Sequence, residues 1–138
     1  MSKSVLCEEK DNICLITLNE EDTRNAISPE IIKELVSILE EIDNNKNISC
    51  AILTGAGKSF SSGGNLHEIN EMTENNNMSL RDIENWYRNG IQRIPMTFNK
   101  IDVPVIAAVN GHAIGAGNDL CTMLSLIHIS EPTRQAMI

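Results

Sequence analysis

Aromatic residues are scarce, at 3% of 138 residues. The core must therefore be filled by Ile, Leu and Val, and a hydrophobic share of 41% is enough for one domain. Positive charge is also short: 11 Lys and Arg stand against 19 Asp and Glu, giving a net charge of −8. That balance argues against a nucleic-acid partner, because phosphate binding needs a basic face. Any anionic ligand has to be met by a local cluster of cations and backbone N–H groups. Cys7, Cys14, Cys50 and Cys121 form no Cys-x-x-Cys pair and have no His pair beside them, so no metal site is expected. Scattered cysteines of this kind point to buried, reduced thiols in a cytoplasmic compartment. Met1–Lys10 has no apolar signal core, and the longest apolar run, Val103–Val109, is too short to span a bilayer. A soluble chain with no membrane partner is expected.

Two alternating stretches, Val5–Glu9 and Ile13–Leu18, flank Lys10-Asp11-Asn12 and predict a β-hairpin. Ser28 as N-cap and Pro29 at the first helical position then open a helix. Its apolar stripe is Ile31, Ile32, Leu35, Ile38, Leu39 and Ile42, and Asp43-Asn44-Asn45 ends it. Cys50–Thr54 is a short apolar strand that runs into a loop, Gly55–Gly64. Leu66–Met72 predicts a short helix, and the Asn-rich stretch Thr73–Met78 a mobile loop. Ser79 caps a second long helix through Trp86, Tyr87, Ile91 and Ile94, which Pro95 should kink or interrupt. Trp86 and Tyr87 are expected to pack that helix. Val103–Val109 is a buried strand, and Asn110-Gly111 starts a loop to a helix near Gly115–Gly117. The order suggests α/β architecture with no internal repeat.

Chemistry is concentrated in two glycine-rich segments, Ser59–Leu66 and Asn110–Leu120, each after a predicted strand. Small residues at strand-to-helix junctions let a ligand approach the backbone, and they leave N–H groups at a helix start unpaired. Gly57-Lys58-Ser59 hints at a phosphate loop, but the position five residues before Gly57 is Ile52 rather than Gly. Gly115-Ala116-Gly117 hints at a dinucleotide fingerprint, but its third glycine would fall at Leu120. Ordinary turn glycines are the remaining reading.

Phe60-Ser61-Ser62-Gly63-Gly64-Asn65-Leu66 resembles the pattern Phe-small-small-Gly-x-Asp-Leu of the crotonase superfamily, the enoyl-CoA hydratase/isomerase family. Val105–Gly111 followed by Gly115–Leu120 resembles that superfamily's second signature, and Arg24-Asn25-Ala26 its Asn-Ala entry to the CoA site. The three occur in the family's order, and the resemblance covers Val5 to Met123. It implies a crotonase-like ββα spiral, incomplete in this chain, acting on an acyl-CoA substrate with no cofactor beyond that CoA. By resemblance, the N–H groups of Gly64 and Ala116 form an oxyanion hole for the thioester. Asp119 stands where the family's hydratases usually carry a catalytic Glu; some of its isomerases have Asp there, so hydration and double-bond isomerisation both stay open. A non-catalytic, CoA-binding fragment is the third possibility. The CoA contacts implied are Arg24, Ala26, Ser62, Gly64, Asn65, Leu66 and Ala116, with Lys58 and His67 as further phosphate candidates. Asn65 replaces the family's Asp. His112 and His128 are expected to be structural.

The resemblance fades after Met123, so residues 1–123 are expected to be the N-terminal part of the domain. The stretch 124–138 resembles a peptide translated from sequencing-adapter DNA, and is expected to be non-native. A divergent native strand is the alternative, since Ser130-Glu131 lies near a common family Ser-Glu. In the family, C-terminal helices cover the acyl pocket and build a homotrimer or a dimer of trimers. Without them, the stripe Ile31–Ile42 is expected to stay partly unburied.

Overall fold

In a computed structural model, which describes residues 3–74, 78–124 and 126–129, a tight hairpin opens the chain. Strand β1 (Val5–Lys10) runs antiparallel to β2 (Ile13–Leu18), with Val5 opposite Leu18 and Lys10 opposite Ile13. Asp11 and Asn12 take φ of 50° and 67°, the left-handed conformation that a two-residue hairpin turn demands.

Helix α1 (Pro29–Asn44) starts as its punctuation dictates: the Ser28 hydroxyl accepts the Ile31 N–H at 3.2 Å, and Pro29 occupies the first turn. Its apolar face packs against β1 and a later helix, α4 (Arg93–Phe98). Ile31, Ile32, Leu35, Leu39 and Ile42 are buried, as is Val36, and Ile38 is half-buried. The expected exposure of this stripe is therefore corrected: the sheet and α4 cover it within this chain. Each such Leu or Ile contributes about 1.5–3 kcal/mol by leaving water. The exposed large apolar side chains lie elsewhere, among them Leu66, Leu80, Met96 and Ile114.

Strands β3 (Cys50–Gly55), β5 (Val105–Val109) and β7 (Leu126–Ile129) complete the sheet in the order β1-β2-β3-β5-β7, with every pairing after the hairpin parallel. Both glycine-rich segments, expected as plain loops, contain a short strand. Strand β4 (Ser59–Ser61) pairs in parallel with β6 (His112–Ala113) in a separate two-stranded sheet. Strands β3 and β5 thus each hand over to a short strand and then to a helix, the repeated step of a ββα spiral.

Helix α2 (Leu66–Glu74) extends beyond its expected end, so Thr73 and Glu74 are helical rather than part of the Asn-rich loop. Residues 75–77 of that loop lie outside the described residues, as do Ser125 and 130–138 of the expected tail, including Glu131. Helix α3 (Leu80–Asn89) stops at Gly90, whose N–H donates to the Trp86 carbonyl at 2.9 Å, and α4 restarts at Arg93. The break therefore falls at Gly90 and not at Pro95. Pro95 sits in the first turn of α4, where an N–H has no intrahelical partner and its loss costs little.

Among the described residues, no helix is long and apolar enough to cross a membrane. Cys14 and Cys121 are buried as expected, Cys50 is half-buried, and Cys7 is exposed. Burial, with the Cys7 thiol alongside, pushes the Cys14 thiol up to about 12. Burial also pushes Cys121 up to about 11. Both thiols stay protonated near neutral pH and are chemically quiet.

Candidate active site

The two glycine-rich segments are joined by more than the β4–β6 pairing. Asn110 clamps them: its Nδ2 donates to the Gly55 and Gly57 carbonyls at 2.8 and 3.0 Å, and its Oδ1 accepts the Gly55 N–H at 3.1 Å. The Ile114 N–H donates to the Ser61 carbonyl at 3.0 Å. Helix α5 (Ala116–Thr122) then begins directly against the first segment. A Cβ on Gly117 would stand 2.6 Å from the Ser61 carbonyl oxygen, so only glycine allows that approach. Gly63, at φ +92°, faces the same junction: a methyl there would strike the Ile114 carbonyl and lie 3.3 Å from the Ala116 nitrogen. The backbone on either side of Gly63 thus runs against the start of α5.

The Arg24–Ala26 turn is tied to the same assembly. Arg24 and Asn25 take positive φ, which Asn tolerates. Asn25 is fully buried, and its amide donates to the Ala56 and Ser59 carbonyls at 3.0 and 2.9 Å while accepting the Glu20 N–H at 3.0 Å. Its carbonyl takes the Ser61 hydroxyl at 2.8 Å, and Ser61 in turn accepts the Gly63 N–H at 3.1 Å. Among the described residues, no buried side-chain nitrogen or oxygen lacks a partner, as burial requires.

A cavity of about 910 Å³ opens beside the junction. Gly64, Asn65, Ala116 and Asp119 all line it. Among the described residues, the N–H of Gly64 has no protein acceptor; it lies outside the bridge in which the Ile27 N–H donates to the Gly63 carbonyl at 2.8 Å. The N–H of Ala116 has none either. The next three amides of α5 donate to the Ile114 and Gly115 carbonyls, and Ala116, the first residue of the helix, does not. Asp119 lies one turn along from Ala116 on the cavity side, exposed to whatever fills it.

The structure separates the other candidates. Arg24, Ala26, Ser62 and Leu66 do not line the cavity. Ala26 is buried, and Leu66 points to solvent at 73% exposure. Ser62 ties to the Arg24 turn, its N–H donating to the Arg24 carbonyl at 2.9 Å and its hydroxyl to the Thr23 carbonyl at 3.0 Å. Asn65 is a helix cap: its Oδ1 accepts the His67 N–H at 3.1 Å and the Glu68 N–H at 3.4 Å. His67 pairs on the solvent face of α2 with Glu71 at 3.2 Å, and Lys58 is exposed. Neither a phosphate loop nor a dinucleotide turn survives: Ser59 opens a strand rather than a helix, and Leu120 is buried. Trp86 and Tyr87 do not pack a core, since α3 has no buried residue; they meet edge-on at 4.9 Å and line the cavity. His112 is exposed on β6.

Sequence reasoning placed Asn25 and Asn110 in its motifs but not as clamps, and it did not single out Glu68. The Asn residues carried a signal in their place beside glycine-rich turns. Glu68 carried one too, three residues after a capping Asn. Glu68 is half-buried on the cavity wall, and its carboxyl is raised above the usual carboxylate range, chiefly by burial; the Trp86 side chain pulls it partly back.

This architecture, a ββα spiral whose two glycine-rich turns meet at one helix start, has a matching family. The family model for enoyl-CoA hydratase/isomerase fits residues 8–136, and the chain belongs to that family, within the crotonase superfamily. It is 37% identical over 128 residues to YngF of Bacillus subtilis, which carries an enoyl-CoA hydratase/isomerase name, covering 91% of this chain and 46% of that protein. It is 33% identical over 118 residues to the short-chain-enoyl-CoA hydratase of Clostridium acetobutylicum, covering 85% of this chain and 42% of that one. The crystal structure of an enoyl-CoA hydratase from Polaromonas sp. JS666 superimposes with a TM-score of 0.78 at 26% identity, over 91% of this chain and 48% of that one. The chain spans under half the length of these relatives.

Proposed function

We propose that this chain is the N-terminal, oxyanion-hole half of an enzyme that adds water across the double bond of a 2-enoyl-CoA thioester. The observation that carries this reading is the pair of unpartnered N–H groups, Gly64 and Ala116, on one cavity with Asp119. Attack at the β-carbon of an enoyl thioester drives electrons onto the carbonyl oxygen. Two fixed donors hold that developing oxyanion more tightly than the neutral carbonyl, so they lower the barrier rather than merely bind substrate. Asp119 positions water or moves a proton at the acyl α- and β-carbons. CoA enters as part of the substrate, no other cofactor is involved, and the enzyme works in the cytoplasm. The parent enzyme has the full length of its relatives. Its second half closes the acyl pocket and builds a trimer or a dimer of trimers.

The test is to supply purified parent enzyme with a short 2-enoyl-CoA and identify the product. Formation of the 3-hydroxyacyl-CoA is expected. A shifted double bond with no uptake of water would assign the enzyme to isomerisation, and turnover of neither kind would leave only CoA binding.

CoA recognition has its own test. Arg24 lies in the turn tied to Ser62, and its exposed guanidinium is the cation with motif support for the CoA phosphates. In the parent enzyme, Arg24→Ala is expected to weaken CoA binding at low ionic strength, with the deficit shrinking as salt screens the contact. Calorimetric titration showing equal affinity at low salt would remove Arg24 from the site.

A further inference from the structure

We infer that the cavity selects an acyl chain ending in a carboxylate, gripped by Arg93 and Lys33, so that the substrate is a dicarboxylic 2-enoyl-CoA. This rests on the reading above, which seats an acyl-CoA thioester at Gly64 and Ala116. A cavity of about 910 Å³ lies at the upper end of small-molecule pockets, about 300–1,000 Å³, and leaves room for a chain beyond the thioester. Around the two donors its lining is apolar. The Ile69 Cδ1 lies 3.4 Å from where a Gly64 Cβ would stand, and Leu120 follows Ala116 by one turn of α5.

The turn from α3 into α4 gives the same cavity a polar stretch. It supplies Asn89, Gln92 and Arg93, held close together because the Arg93 N–H donates to the Gly90 carbonyl at 3.0 Å. Lys33 joins them from α1. It follows the buried Ile32, as Arg93 precedes the buried Ile94, and α1 and α4 pack on each other. Both cations are exposed on the cavity. Among the described residues, neither makes an ion pair, and the side chains of Arg93, Lys33, Asn89 and Gln92 make no hydrogen bond. In a chain with a net charge of −8, two unpaired cations on one cavity call for an anion.

The carboxyl groups of the lining do not answer that call. Asp82 is engaged with its own helix cap, accepting the Ser79 N–H at 2.9 Å and the Ser79 hydroxyl at 2.7 Å. Glu68 is hydrogen-bonded to the Trp86 side chain, and burial favours its neutral form. Asp119 stands beside the oxyanion donors. The CoA phosphates belong to the Arg24 turn, which does not line the cavity, so the anion that enters is the far end of the acyl chain. A guanidinium matches a carboxylate as a two-pronged donor, with the Lys33 ammonium and the Asn89 and Gln92 amides available for its remaining lone pairs. A plain alkyl chain reaching the same groups would displace their water and give no hydrogen bond back, which selects against it.

Calorimetric titration of the parent enzyme with saturated acyl-CoA thioesters reads binding without turnover. Each chain is offered in two forms of equal length, one ending in a carboxylate and one in a methyl group. Expected is tighter binding of the carboxylate form by about 10–10²-fold at low ionic strength, narrowing as salt screens the exposed cations. Arg93→Gln should cut that ratio about tenfold, Lys33→Gln should cut it less, Arg93→Lys should keep part of it, and Arg93→Glu should reverse it. Melting midpoints should hold, since both side chains are exposed. An even ratio in the unaltered enzyme would overturn the inference, and so would a ratio that neither Gln variant changes. Equal weakening of both forms, matched by weaker binding of CoA alone, would put the cations on the CoA phosphates and overturn it as well. Hydration of the corresponding 2-enoyl-CoA thioesters, followed beside the titrations, keeps the two readings apart. Turnover with an even ratio leaves hydration standing and removes the carboxylate pocket. A ratio that depends on Arg93, with no turnover, upholds the pocket while hydration falls.

Discussion

In the parent enzyme, Asp119→Asn is expected to lower kcat for 2-enoyl-CoA hydration by about 10²–10⁴-fold while leaving KM within a small factor. Asn matches the shape of Asp, so packing at the first turn of α5 is unchanged. What it loses is the ability to take up a proton, which matters only as the bond to water forms. Asp119 is exposed on the cavity, and among the described residues its side chain ties no other element, so the folded state should barely notice the change. Steady-state kinetics with a thermal melt decide the matter. Near-normal turnover would make Asp119 a carboxylate that merely favours the helix N-terminus.

Gly63→Ala is expected to be nearly as damaging, by a different route. The residue sits at φ +92°, where a side chain costs about 1–3 kcal/mol, and its new methyl would strike the Ile114 carbonyl. That cost lies within the total stability of a typical domain, about 5–15 kcal/mol, so the protein should still fold. The strain is relieved by pushing the Gly64 segment away from α5, which misplaces one of the two donors. Loss of a donor costs about 10²–10³ in rate. Kinetics on a sample with native circular dichroism would show it, and full activity there would mean that the two segments need not stay in register.

Much of this layout was legible in the residues themselves. Ser28-Pro29 and the Ile31–Ile42 period wrote α1 in full, because capping and amphipathic spacing are local effects. Lys10-Asp11-Asn12 marked the hairpin for the same reason. Strands β4 and β6 escaped notice because two or three residues are too few to show alternation, and their pairing depends on a partner far along the chain. The end of α3 was misplaced because proline reads as a breaker wherever it stands, although in a first turn it breaks nothing. The site divides in the same way. Gly64, Ala116 and Asp119 sit in motifs of adjacent residues and could be found there. The half-burial of Glu68 on the cavity wall depends on elements distant in sequence, which no local pattern encodes. Arg24, Ser62 and Leu66 have the motif but do not line the cavity, since neighbouring residues in a turn point in different directions.

The clamp between the two segments has a kinetic consequence. Thr54 bonds the Ala108 carbonyl, and the Gly55 N–H bonds Asn110, across sequence separations of 54 and 55 residues. Closing a loop of that length costs chain entropy before any contact repays it, and parallel pairing of distant strands is slow for the same reason. During refolding the hairpin and α1 should form early from local contacts, and the Gly64 and Ala116 segments should converge only when β3 and β5 zip together. Recovery of activity should therefore lag behind recovery of helical signal. Mild denaturant that loosens the β3–β5 seam should silence the enzyme while α1 is still wound.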